Sequence, residues 1–120
     1  KGDVQLSRTV VDLTTAGPFV LLTPAAPSQG VFPTKVVVVS RSVDTVTTQP
    51  EVSLRTLAAL DTAPSVALAF TADKKVSQIP LAAEVPLAEV GDQVFLDVDV
   101  QGAAVSYSVE IFLFGRTLET

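Results

Sequence analysis

The side chains able to do chemistry in this chain are carboxylates, hydroxyls and amines, because it contains no His and no Cys. The usual general base, the usual partner of a nucleophile and the soft metal ligands are therefore missing. Asp97 and Asp99 share one face of a strand about 7 Å apart, with Asp92 close by in sequence, which is the beginning of a Ca²⁺ site. Calcium takes about six to eight oxygens from converging loops. Three acids along one stretch supply too few, so they read as a solvated outer face whose charges also discourage edge pairing. A Ser–Lys dyad has both residue types at hand, but no motif places Lys74 or Lys75 beside a particular serine.

Asp61-Thr62-Ala63 resembles the Asp-Thr-Gly of aspartic proteases, and Leu113-Phe114-Gly115-Arg116 resembles the apolar-apolar-Gly segment those enzymes place later. Such a reading implies a dimeric β enzyme in which two aspartates share a proton. Ala63 stands where the glycine belongs, Pro64 follows at once, and the aspartate comes deep into the chain, all of which oppose it. Asp44-Thr45-Val46 departs at the same glycine position. An enzyme would need an acidic pair converging around Asp61. Glycan binding by stacking wants exposed Trp or Tyr platforms. Here there is no Trp, and the single Tyr107 has the inward parity of its strand.

The elements that must position these groups read as strands throughout. With 120 residues, 48% of them hydrophobic, residues 1–120 fit one domain with one two-layer core. No apolar stretch approaches the roughly 20 residues of a membrane helix, and no membrane partner is expected. Residues 1–8 lack the basic-then-apolar layout of a secretory leader, which leaves the compartment open. A net charge of −5 with eight scattered cations argues against nucleic acid as a partner. The chain also lacks Met, Trp and Asn. That composition fits a hot or exposed working environment and fits GC-rich coding equally well.

Segments of strand character recur every 8–12 residues or so with turn chemistry between them, the signature of an antiparallel β-sandwich, jelly-roll-like or immunoglobulin-like, of about eight strands. Residues 3–13 form the first, with a slip in alternation between Arg8 and Val10 that predicts a bulge there. Residues 14–18 turn, residues 19–23 form a short strand, and residues 24–30, with two prolines and a glycine, form a loop. Residues 31–43 contain four consecutive valines, which predicts a central strand covered on both faces. Residues 51–60 could begin a helix, since Thr48-Gln49-Pro50-Glu51 imitates a capping box, but Val52, Leu54 and Thr56 alternate, and a strand followed by a short turn is preferred. Residues 65–72 alternate cleanly, and residues 76–85 are demoted to an edge or bent strand by Pro80. Residues 86–93 read as a loop.

The last two strands have the plainest pattern. Val94, Leu96, Val98 and Val100 share one parity, Asp97, Asp99 and Gln101 the other, and after Gly102 the inward series resumes as Val105, Tyr107, Val109, Ile111 and Leu113. This predicts a hairpin. On the last strand the opposite face begins polar, with Ser106, Ser108 and Glu110, and ends with Phe112 and Phe114. Two aromatics on a second face need a cover: either residues 1–8 or 24–30 of the same chain, or another subunit.

The whole order of segments resembles a known kind of protein. Asp3-Val4-Gln5-Leu6 leads through Thr14-Thr15-Ala16-Gly17 to Phe32-Pro33-Thr34-Lys35-Val36-Val37-Val38. Gly91-Asp92-Gln93-Val94 and Tyr107-Ser108-Val109-Glu110-Ile111-Phe112-Leu113-Phe114-Gly115 follow. Over nearly the whole chain this is similar to the small β-sandwich structural proteins of tailed-phage virions, particularly capsid decoration (cement) proteins of thermophilic siphophages. The resemblance implies a non-enzymatic virion protein on the capsid exterior, assembled as a homotrimer, with the major capsid protein as partner and no cofactor or metal. Phe112 and Phe114 would then line a three-fold contact. Residues 1–8, with Lys1, Val4, Leu6 and Arg8, would reach a neighbour as an extended arm. The alternative, from another class, is a phage-tail or extracellular binding module that recognises a host glycan or protein through loops 24–30 and 86–93 clustered at one end.

Overall fold

The computed structural model describes residues 4–23, 30–56, 66–79, 88–89 and 92–118. Strands β1 (Val4–Asp12), β2 (Phe19–Leu22), β3 (Gly30–Asp44), β4 (Glu51–Thr56), β5 (Val66–Ala67), β6 (Val76–Ile79), β7 (Ala88–Glu89), β8 (Val94–Val100) and β9 (Ser106–Leu118) follow one another in the chain. They form two antiparallel sheets, one ordered β1-β9-β3-β6 with β7 also on β3, the other β2-β8-β4-β5. The architecture is an all-β sandwich.

The pairings are nested: β1 with β9, β2 with β8, β3 with β7 and β6, β4 with β5. The chain is thus one long antiparallel ribbon folded back near β4 and β5 and rolled up, and the rolling adds the β3–β9 and β4–β8 ladders. A ribbon rolled this way is a jelly roll. It is not the immunoglobulin order, which keeps the first two strands in one sheet.

Two features of this order correct the reading of the sequence. The last two strands are not a hairpin: β8 lies in the second sheet and β9 in the first. Inward parity is the same for strands paired side by side and for strands facing each other across a core, so the pattern could not separate the two. The crossing between them is tied down by main-chain bonds, with Gly102 N–H donating to the Leu13 carbonyl at 2.9 Å and Ala103 exchanging bonds with Thr48. The Gln101 side-chain amide also donates to the Thr14 carbonyl. Val100 and Val105, both expected inside, sit at this crossing and are 37% and 72% exposed.

The four valines correct the second. Val36 and Val38 are fully buried, whereas Val37 and Val39 are half-buried on the outer face, so β3 alternates like any one-sided strand. Smaller differences follow from local pairing. The bulge in β1 falls between Gln5 and Ser7 rather than between Arg8 and Val10, and it lets Leu6 pack against the core beside the inward Val11 and Leu13. Val4 to Arg8 are paired with β9 and are strand, not a free arm. Within residues 65–72 only Val66 and Ala67 are in a ladder, although Leu68 and Phe70 continue the inward alternation. Residues 88–89, expected in a loop, pair with Gly30 and Val31. β6 is the edge strand expected there, and the rest of residues 76–85, from 80 onward, lies outside the described residues.

Between the sheets lie Val36, Val38, Tyr107, Val109, Ile111 and Leu113 from the first, against Val52, Leu54, Val94 and Leu96 from the second, all between 0% and 1% exposed. Each such side chain contributes about 1.5–3 kcal/mol relative to staying in water. Ser40 is also buried, and it is satisfied: its hydroxyl donates to the Ala72 carbonyl (2.7 Å) and accepts from Lys75 N–H (2.9 Å). This stitches β3 to the turn before β6. Gly115 stands opposite Pro33 at a second bulge, where the backbones approach so closely that a Cβ would lie 2.1 Å from the Phe32 carbonyl oxygen. Replacing it with Gly115→Ala should therefore destabilise the fold by about 2–3 kcal/mol, through forced backbone displacement. Chemical denaturation of the two proteins measures this, and an unchanged midpoint would show that β3 and β9 can separate there at no cost.

Candidate functional site

Directly opposed residues of antiparallel strands share a face, so the register of the first sheet lists what its outer surface carries. Phe32 stands opposite Arg116, and Lys35 opposite Phe114, which is itself opposite Gln5. Next come Arg8, Phe112, Val37 and Gln78 in one row, and Val10, Glu110, Val39 and Val76 in another. Beyond them Ser108 lies between Asp12 and Ser42, and Ser106 opposite Asp44. The middle of this face is apolar and open: Val10 is 59% exposed, Val76 68%, and Phe112 and Phe114 are half-buried.

Charge is graded along the same face. At the Phe32 end stand Arg116 and Lys35, with the Lys35 ammonium 4.9 Å from the centre of the Phe114 ring. In the middle the Glu110 carboxylate, only 8% exposed, is held by Arg8 Nε at 2.7 Å and Arg41 Nη1 at 3.6 Å. At the far end are Asp12 and Asp44, whose side chains accept bonds from Thr14 and Thr45. The outer face of the second sheet differs. There the Arg55 guanidinium covers Phe95 at 4.5 Å and binds Asp97 at 2.8 Å, so its aromatic is closed over by its own chain.

The groups singled out for chemistry are not brought together. Asp97 is engaged by Arg55, Asp99 is exposed, and Asp92 accepts from Gln93 N–H at 2.7 Å. Among the described residues no three His, Cys, Asp or Glu side chains converge on a possible metal position. Asp61-Thr62-Ala63 and Lys1 lie outside the described residues. Leu113 is in the core while Phe114 is on the outer face. Lys74 and Lys75 do meet a serine, Ser40, but through main-chain groups: Lys74 N–H donates to the Ser40 carbonyl and Lys75 N–H to its hydroxyl. The Ser40 proton is given to the Ala72 carbonyl, and no side chain among the described residues takes it as a general base would.

Of the six residues named for an interface, Phe112, Phe114 and Arg8 are on the outer face and close together. Val4 begins β1, 53% exposed, and Leu6 is turned inward by the bulge. Val10, Val37, Val39, Val76, Arg41 and Phe32 belong to the same surface and were missed. Only the strand register joins them, and no spacing along the chain carries that register.

No protein-family profile matches this chain, and no curated protein or solved structure matches it.

Tyr107 is the remaining polar side chain of note. It is fully buried, donates to Gln49 Oε1 at 2.6 Å, accepts from Phe70 N–H at 3.2 Å, and lies with its ring centre 6.4 Å from that of Phe70. The Gln49 amide in turn donates to the Phe70 carbonyl at 3.0 Å. Burial pushes the phenol above its ordinary value, with the Phe70 N–H pulling the other way. An acid whose folded value is raised stabilises fully below the unfolded value and loses that stability as pH climbs toward the folded one. Stability should hold up to about pH 10 and decline above it. Tyr107→Phe should lack this part of the decline while costing about 1–3 kcal/mol at neutral pH, because Gln49 and Phe70 lose their partner. As the chain has one Tyr and no Trp, phenolate absorbance reports on it directly. Ionisation at the ordinary pH with the fold intact would contradict the buried network.

Proposed function

We propose that this protein is a virion structural protein of the capsid-decoration kind, which binds the outer surface of the expanded major capsid lattice as an oligomer and stabilises it. The single observation that carries the reading is the outer face of the first sheet, where Phe112 and Phe114 join Val10, Val37, Val39 and Val76 in an apolar area. Monomeric soluble proteins rarely leave such areas uncovered, and polar-rimmed patches mark association surfaces. A stiff sandwich, stitched by nested ladders and holding neither imidazole nor thiol, suits bracing better than turnover.

The mechanism follows from linkage. A protein that binds only the expanded lattice lowers that state's free energy by mass action. An oligomer whose copies each make a modest contact holds on tightly, because the later contacts form at high effective concentration. The resemblance of the sequence implies three copies.

A second reading, a host-binding module, has one observation in its favour. Described residues within or beside the two segments expected as loops come together, with Glu89 opposite Gly30 and the Gln93 side-chain amide 3.5 Å from Thr23 Oγ1. For the first reading, native mass measurement should give an oligomer, and stripped expanded shells of its phage should retain the protein at least about tenfold more tightly than unexpanded ones. Equal retention by both shells, or by neither, defeats the decoration mechanism. Retention by host envelope fractions instead would establish the second reading.

A further inference from the structure

The outer face of the first sheet changes sign along its length. From the Phe32–Arg116 row to the Lys35–Phe114 row its charged residues are the cations Arg116 and Lys35. Beyond the Glu110 row stand the acids Asp12 and Asp44, with Arg41 between them and that row engaged by Glu110. The two halves are separated by an apolar waist of Phe112, Val37, Val39, Val10 and Val76, within which Glu110 is already neutralised by Arg8 and Arg41. A surface of this kind is complementary to itself once turned end for end. The twofold axis that does this lies in the plane of the contact, perpendicular to the strands. It lays waist on waist and brings the Lys35 and Arg116 end of each copy to the Asp44 and Asp12 end of the other.

From this arrangement we infer that the occupant of the face is a second copy of the same chain, packed sheet on sheet in an isologous pair. This deepens the oligomeric part of the proposed function, on which it rests, and it departs from the three-fold contact that the sequence resemblance implies. Three considerations favour a twofold over other arrangements. A twofold axis parallel to the strands would set like ends together and repel. A contact with the second sheet would meet a face whose aromatic, Phe95, is already covered by Arg55. The size also fits: about a dozen residues along β3 and some three to four strands across give roughly 40 Å by about 15 Å, on the order of 600 Å² per copy, near the ~800 Å² of a standard stable interface. Charged ends then set the register, while the waist supplies the buried apolar area.

The symmetry gives a test that a general stickiness cannot pass. Lys35→Glu makes the positive end more negative, and Asp44→Lys makes the negative end more positive. Both positions are exposed, and thermal melting of each variant checks that the fold is kept. By sedimentation velocity, the wild type should contain the pair, and each single variant alone should dissociate at least about tenfold more readily. An equimolar mixture of the two should form a one-to-one heterodimer, because each end of one variant then meets its opposite on the other. Val76→Asp, at the waist, should weaken the pair in every combination. A wild type that is monomeric throughout, an assembly unmoved by Asp44→Lys, or a mixture that stays dissociated would each overturn the inference. Failure to bind shells by a protein that still passes the mixing test would overturn the decoration reading and leave the pair standing.

Discussion

Hydrogen bonding of β9 on both of its edges is the constraint on which the rest of the structure depends. β1 pairs with one side of it and β3 with the other over nearly its whole length. A strand saturated on both edges cannot shift by one residue without carrying every side chain to the opposite face. Tyr107, Val109, Ile111 and Leu113 are thereby committed to the core, and Glu110, Phe112 and Phe114 to the surface. The core and the apolar outer face are two sides of a single registration, so a change that disturbs one disturbs the other.

Much of this was legible in the sequence, and the limits are physical. A run of valines identified β3, while alternation identified β8 and β9 and gave the correct side for Leu96 and Ile111, because period two is a local property. It also placed Tyr107 inside. What it could not give was the neighbour of each strand: β8 and β9 looked like one hairpin although the chain crosses between sheets at Gly102. Four valines in a row concealed an ordinary one-sided strand, since valine is tolerated on a half-covered face lined by Phe112 and Glu110. The outer face was visible only as Phe112 and Phe114. Its other members are scattered over three further strands and come together through ladders of high sequence separation, such as Arg8 with Phe112 and Gln78 with Val37.

The polar interior is neutral in character. Ser40, Tyr107 and Gln49 satisfy one another or the main chain; of the two nearly buried carboxylates among the described residues, Glu110 is answered by two arginines at the rim and Asp92 accepts from Gln93 N–H. A buried charge deprived of its partner is costly, whereas hydroxyl and amide groups that complete each other are not. On the face, Arg8 and Arg41 are held by Glu110 and Lys35 lies against the ring of Phe114. Their placement bears more on which surface can approach, and in which direction, than on holding the domain together.

The nested ladders have a consequence for how the molecule comes into being. Among the described residues β1 has β9 as its in-sheet neighbour, a partner roughly a hundred residues further along the chain. Closure of so distant a contact must await the synthesis of β9, as in other β architectures dominated by remote pairings. During translation the ribbon can zip outward from the region of β4 and β5, yet the edge formed by β1 stays unmatched until β9 slots between it and β3. Interrupted synthesis would thus leave two half-dressed sheets, with the valines of β3 bare, and such fragments invite aggregation more readily than the finished protein does.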